Sequence, residues 1–429
     1  MVNKIELENR IIPYKMLLRS TSTMLELADR ILSDTAMPSL ISGLKGLETT
    51  LQDVIERAGE GLPIVGYHFA LPSEYLTAFD CVPICIESVS FMLASMLPEG
   101  GIHKYFDMIT NYGHPYHSCS AQKGIMGMTL DDLIQFDAII TPTAPCDNTC
   151  ASYPFFELQK KFPVVVIDMP FMHDEESFRY CGDEVRRGLE ELGGILKQDP
   201  DYEKMKQYIR IENKVNNAMM EIFELKKAIP CPVDNMSNAL SAAAQIFMAG
   251  RQEKIDFYND VLESSKKRLK EGIHHGGEEK IRSIWPYMLT FFSLDMCEWF
   301  DRHLGMSILF DVFNYNFTES IELSNEDKMF YGMGKKIMQF PMTRQSSQFY
   351  YPFLEECVQY AKEFSADCFI YTSSIACKQF GSIPQILREA LKEEVGIPML
   401  IIDLDVADPR ITNAMKVKEK ILTFTQTLL

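Results

Sequence analysis

Between residues 62 and 170 four short segments each hold a continuous apolar run: LPIVGYH (62–68), VPICIES (82–88), FDAIITP (136–142) and FPVVVIDMP (162–170). Runs of this kind show no alternation, so they offer no polar face to water and must be covered on both sides. Helical patterns separate them. PSEYLTAFDC, for example, reads as a helix opened by Pro72, with Ser73 and Glu74 in its first turn. Buried strands alternating with helices predict a parallel sheet with helices packed on both faces. The alternation returns near the C-terminus in DCFIYTS, a helix through IPQILREALKEEVG, and then IPMLIIDLD.

The two regions match each other in order. FDAIITPTAPC followed by FPVVVIDMP has a counterpart in ADCFIYTSSIAC followed by IPMLIIDLD. Each unit reads acid, apolar strand, small-residue loop, cysteine, helix, and a Pro-led strand ending in Asp. Asp137 precedes Cys146, Asp367 precedes Cys377, and Asp168 and Asp403 close the second strands. An internal repeat of this form predicts an α/β protein with two similar parallel-sheet domains facing each other. Each domain would carry a cysteine just past the carboxyl end of a strand, the edge where open parallel sheets bind ligands. Residues 1–60 read as a helical N-terminal segment, with STMLELADRIL and LETTLQDVIERAGEG as its helices. Residues 61–175 form the first α/β domain. Residues 176–345 form a mainly helical insertion, with RGLEELGGILKQ and QEKIDFYNDVLESSKKRLKEG, and residues 346–429 form the second α/β domain.

A formal net charge of −18 argues against nucleic acid as a partner, since phosphates require a basic face. The start, MVNKIELENRIIPYK, has no apolar core of signal-peptide length, and no window is apolar enough to span a membrane. The expectation is a cytoplasmic protein, where disulfides rarely persist. The cysteine count, 11, is odd and irregularly spaced, which excludes a disulfide framework as the organising principle. Cys181, Cys297 and Cys357 fall in helical patterns, Cys81, Cys85 and Cys368 in or beside strands, and Cys231 in a loop. Packing accounts for these, with a second-site role open for Cys85. Cys119 in HPYHSCSAQKG, Cys146 and Cys150 in TPTAPCDNTCASY, and Cys377 in SSIACKQFG lie in loops. Cys119, Cys146 and Cys377 each precede a predicted helix, whose first N–H groups favour a thiolate. Thiolates converging from separate loops hold iron–sulfur clusters or zinc, and the spacing leaves both open. His114 and His117 flank Cys119 in what reads as a surface loop. Lys123 and Lys378 follow cysteines closely, as charge-balancing, phosphate-binding or solvated lysines. HHGG (274–277) reads as a mobile turn.

The segments GYHFALPSEYLTAFDCVPICIE, YHSCSAQKG, DAIITPTAPCDNTC, FPVVVIDMPF, IYTSSIACKQF and IIDLDVADPR, in that order, resemble the 2-hydroxyacyl-CoA dehydratase and benzoyl-CoA reductase family of iron–sulfur subunits. The likeness runs from about residue 60 to the C-terminus, and SIACKQ with DLDVADPR carries most of it. It implies that Cys119, Cys146 and Cys377 ligate a [4Fe-4S] cluster with one iron left open, Cys150 being a neighbour. It further implies a heterodimer with a second homologous iron–sulfur subunit, an acyl-CoA substrate, and a separate ATP-hydrolysing iron–sulfur activator. The chain itself has no P-loop sequence. The implied activity is that of a lyase working by a radical mechanism. One electron enters the thioester carbonyl, the ketyl radical anion expels the α-hydroxyl, the β-hydrogen becomes acidic, and the electron is recovered. Such an electron belongs near the bottom of the iron–sulfur range, roughly −700 mV.

Many dehydratase subunits carry serines before PSE, whereas this chain has YHFAL. His68 stands there either as a catalytic hydrogen-bond donor or acid–base group, or as a buried structural histidine. The substitution leaves an acyl-CoA reductase as the alternative activity. A double-cubane reductase would need six cysteines, of which only Cys85, Cys119, Cys146 and Cys377 match. The reading outside the enzyme class is a non-catalytic partner subunit, without a cluster or holding zinc.

Overall fold

The computed structural model describes residues 4–31, 38–96, 101–287, 293, 295–315 and 319–428. Strands β1 (Ile64–Tyr67), β2 (Val82–Cys85), β3 (Ala138–Pro142) and β4 (Val164–Ile167) form one four-stranded sheet. Strands β5 (Ile281–Ile284), β6 (Met306–Phe310), β7 (Cys368–Ser374) and β8 (Met399–Leu404) form the other. The strand orders are β2-β1-β3-β4 and β6-β5-β7-β8, and every pairing is parallel. The two sheets therefore share one topology, as the internal repeat predicts.

The matched acids show why the repeat extends to single residues. Asp137 Oδ2 accepts the Ile64 N–H at 2.7 Å, and the Asp137 N–H donates to the Ile64 carbonyl at 2.8 Å. Asp367 does the same for Arg282, at 2.7 and 2.8 Å. Each acid sits one residue before its strand and holds the start of the neighbouring strand, at Ile64 in β1 and Arg282 in β5, which sets the register of the two central strands. Asp137 is also ion-paired to Arg10, which ties the N-terminal helices to the first sheet.

Three expectations need correction. Strands β5 and β6 lie within 176–345, the stretch read as mainly helical, so the second sheet draws on residues well before 346. IRSI interrupts its apolar run with Arg282 and Ser283. In the structure the Arg282 guanidinium is buried and donates to the carbonyls of Phe364 (2.9 Å), Ala228 (3.0 Å) and Lys226 (3.1 Å), with Glu279 at 2.9 Å. The three carbonyl partners lie 54 to 82 residues away, invisible from the local sequence. Second, VPICIES is strand only as far as Cys85, and the helix Ile86–Met96 begins at once. Third, HHGG is a packed corner rather than a mobile turn. His274 is buried, its Nδ1 accepts the Gly276 N–H at 3.1 Å, and its Nε2 meets Ser307 Oγ at 3.2 Å.

The two quoted amphipathic patterns fall in the helices Glu175–Leu196 and Gln252–Glu271, and between these lie the helices Tyr202–Leu225 and Asn235–Phe247. Asp174, Asp201 and Asp234 cap the first three of these in chain order by accepting N–H groups at 2.8–2.9 Å, each worth about 1 kcal/mol. The N-terminal segment supplies the helices Lys4–Arg10, Ile12–Ile31 and Pro38–Gly59. Among the described residues no helix is long and apolar enough to cross a membrane.

Candidate functional site

In each sheet the strand order reverses between the two central strands, and their carboxyl ends define the crevice where this architecture takes ligands. The chain leaves β3 through Thr143–Pro145 into Cys146, the N-cap of the helix Asp147–Gln159. It leaves β7 into Cys377, the N-cap of the short helix Lys378–Gly381. Cys119 is the N-cap of a third helix, Ser120–Leu130, in the crossover between β2 and β3. None of the three side chains caps its own helix. Each sulfur lies beside the first turn of its helix, whose N–H groups (Ala121 and Gln122 for Cys119, Thr149 for Cys146, Gln379 and Phe380 for Cys377) ease the rise that burial imposes on the thiol. All three cysteines are half-buried and line a single cavity of about 180 Å³ between the two domains.

Two side chains lock these loops together. Asn148 Oδ1 accepts the Cys119 N–H at 3.0 Å, while its Nδ2 donates to the Ala376 carbonyl at 2.9 Å. One amide, two residues past Cys146, thus joins all three cysteine loops. Asp405, from the DLDVADPR stretch, accepts the Ser120 hydroxyl beside Cys119 and the N–H groups of Ala407 and Asp408, both at 3.1 Å. Further along, Arg410 bonds Asp408 at 2.6 Å and crosses to Asp107 of the first domain at 3.0 Å. The C-terminal motif therefore works as a clamp that holds the first domain's cysteine loop against the second domain.

Burial pushes the Cys146 thiol up to about 12, and the charge of Cys377 adds to the rise. Burial likewise raises Cys377 to about 11, and it raises Cys119 together with the charges of Asp405 and Cys146. The three groups are near enough to feel one another, so as free thiols they hold their protons. A bound cationic centre would release those protons. Among the described residues no three His, Cys, Asp or Glu side chains gather in the shell of one metal ion. A four-iron cube is broader than one ion and takes its sulfurs at separate corners. Three cysteines that line one cavity, each at the start of a helix, suit such a group.

His68, at the carboxyl end of β1, is fully buried and does not line the cavity. Its Nδ1 accepts the Ala70 N–H at 3.1 Å, which leaves the proton on Nε2, 3.0 Å from Thr149 Oγ1. Burial holds the ring neutral, pushing it down to about 3. The Thr149 hydroxyl in turn lowers the Cys146 thiol against the rise from burial. The carboxyl that does face the cavity is Glu87. It is buried, accepts from Gln122 Nε2 at 2.8 Å and from the Phe69 N–H at 3.1 Å, and lies 3.5 Å from His68 Nε2. Burial pushes Glu87 up to about 7. Gln122 also lines the cavity, donates to Thr149 Oγ1 at 3.0 Å, and keeps an unpartnered buried Oε1.

The other sequence candidates lie off the cavity. Cys85 is buried beneath Glu87, 3.1 Å from Ser88 Oγ, and Cys150 is exposed, 3.0 Å from the Thr143 carbonyl. Lys123 is buried and donates to the Tyr116 carbonyl at 2.8 Å, bracing the loop before Cys119. His114 packs edge-on against Phe155 at 5.5 Å. Lys378 does not line the cavity, and its charge eases the rise at Cys377. Glu87, Gln122 and Asn148 were not singled out by sequence reasoning. For Glu87 a signal existed, an acid two residues past the end of a buried strand, where parallel sheets present functional side chains.

Fold and site together define a class: two-domain α/β proteins of matched parallel sheets with a cysteine-lined cleft between them. The family model for the 2-hydroxyglutaryl-CoA dehydratase D-component matches residues 69–428, and the chain belongs to that family. It is 22% identical over 328 residues to the lactoyl-CoA dehydratase subunit alpha of Anaerotignum propionicum, covering 69% of this chain and 72% of that one. It is 20% identical to the (R)-phenyllactyl-CoA dehydratase alpha subunit of Clostridium sporogenes, with 62% and 65% covered. It is also 20% identical to a benzoyl-CoA reductase subunit of Thauera aromatica, with 63% and 66% covered.

Proposed function

We propose that this chain is the cluster-bearing subunit of a radical 2-hydroxyacyl-CoA dehydratase, a lyase that removes water from a 2-hydroxyacyl thioester. The observation that carries the reading is the convergence of Cys119, Cys146 and Cys377 on one interdomain cavity. In this reading those three cysteines hold a [4Fe-4S] cluster. When bound, the cluster supplies an electron of very low potential to the thioester carbonyl and a Lewis-acidic iron for a substrate oxygen. Similarity to named dehydratase and reductase subunits supports a second, homologous subunit as partner and an acyl-CoA as substrate. A separate ATP-hydrolysing iron–sulfur activator and a cytoplasmic location complete the proposal.

The chain's own residues divide the remaining work. Glu87 faces the cavity with its carboxyl poised near neutrality, the condition for moving a proton in either direction. Protonated, it gives its proton to the hydroxyl as that group departs, and the β-hydrogen, acidic once the hydroxyl has gone, restores the proton, so water and enoyl thioester form and the carboxyl returns to its starting state. Gln122 Oε1 accepts a hydrogen bond from the substrate α-hydroxyl, filling the acceptor left unpartnered. His68 is a positioning residue: its Nε2–H holds Thr149, whose hydroxyl steadies the Cys146 sulfur. Asn148 and Asp405 keep the three loops at fixed separation.

A second reading, an acyl-CoA reductase subunit, draws on the likeness to the benzoyl-CoA reductase subunit. Anaerobic purification with iron and sulfide analysis tests the common ground. The expected result is a brown, oxygen-sensitive protein with about four irons per chain, lost in Cys377→Ser. A colourless, zinc-loaded protein indifferent to Cys377→Ser would overturn both readings. Turnover of 2-hydroxyacyl-CoA to enoyl-CoA without net consumption of reductant separates the dehydratase from the reductase.

A further inference from the structure

We infer that the acyl group taken by this cavity is an uncharged hydrocarbon, and that its far wall is set by N-terminal helices lying outside the family match. The inference rests on the thioester reading above and narrows it. Helix Ile12–Ile31 contributes Met24 to the lining, and helix Pro38–Gly59 contributes Leu44 and Leu47. Helix Asn235–Phe247 contributes Leu240, Ala243 and Phe247. The match to the family begins at residue 69, so the first two helices are additions to the part that matches.

These helices are held close enough to make a firm wall. A Cβ on Gly43 would stand 3.1 Å from Leu240 Cδ1, and one on Gly46 would stand 2.8 Å from the Met248 sulfur. A side chain at either position would press on Leu240 or on Met248 at the end of helix Asn235–Phe247, so glycine allows the close approach. Among the described residues no Lys, Arg or His lines the cavity, and Glu87 is its one carboxyl. A hydrocarbon acyl chain entering here exchanges water for Leu, Met, Phe and Ala side chains, which favours binding. A dicarboxylic acyl group would carry a second carboxylate against the same wall. No cation is there to offset its desolvation, and Glu87 adds repulsion whenever it is ionised.

Calorimetric titration of the full-length, anaerobically purified protein with two thioesters tests this. Hexanoyl-CoA and adipoyl-CoA have equal chain lengths and differ by one terminal carboxylate, and neither carries the 2-hydroxyl needed for turnover. Hexanoyl-CoA should bind roughly a hundredfold more tightly. Equal affinities would overturn this inference while leaving the thioester reading standing. Failure of both to bind would overturn the thioester reading itself. Met24 is half-buried, so Met24→Lys can place an ammonium at the wall with its stem packed. In that variant the preference should shrink to about tenfold or less. An unchanged ratio in folded Met24→Lys protein would show that the acyl chain does not reach this wall.

Discussion

Replacing Glu87 by glutamine isolates the most unusual electrostatic feature of the cleft. The carboxyl is 2% exposed and burial pushes it from 4.5 up to about 7, against the pull of N–H groups from Phe69 and Gln122. The sign follows from proton binding. Between pH 4.5 and about 7 the native protein keeps a proton that the unfolded chain has released, so stability falls as pH rises through this window. Each pH step at full difference corresponds to about 1.4 kcal/mol, so the whole window amounts to about 3 kcal/mol. Glutamine has the same shape and does not titrate. Its altered hydrogen bonds add a constant offset, whereas the pH dependence belongs to the carboxyl. Urea unfolding of the metal-free, reduced protein and of Glu87→Gln, measured from pH 5 to pH 8, should show the variant gaining up to about 3 kcal/mol relative to the parent. Two stability curves that run parallel across this range would refute the reasoning. The same variant, loaded with its cluster, should lose at least about a hundredfold in turnover with iron content intact, since it cannot accept a proton.

Asn148→Ala removes the amide that joins the three cysteine loops and strands the Cys119 N–H and the Ala376 carbonyl. A loss of about 2–3 kcal/mol in unfolding free energy is expected, with faster labelling of the cleft thiols by a thiol reagent. His68→Gln keeps a donor for Thr149 and should retain iron content and most activity, as a positioning role requires. A hundredfold fall in turnover with iron unchanged would return His68 to the chemistry.

The strands of the first sheet were legible because each is apolar throughout, and burial on both faces demands that pattern. The doubled acids Asp137 and Asp367 were legible as a repeat, although their work of capping the neighbouring strand appears only once β1 and β5 lie beside them. Strands β5 and β6 escaped because Arg282, Ser283 and Ser307 look like surface residues, and only distant carbonyls and carboxylates make their burial affordable. Cys146 and Cys377 declared themselves by position at strand ends. Cys119 sits in a crossover, and its place beside them depends on Asn148 and Asp405 reaching across the cleft. Local composition thus determined the strands of the first sheet, β7, β8 and the long helices, since burial and periodicity act over neighbouring residues, whereas β5 and β6 needed distant partners. Which thiols, amides and carboxyls share the cavity was decided by tertiary structure alone, because the bonds that gather them join residues far apart along the chain.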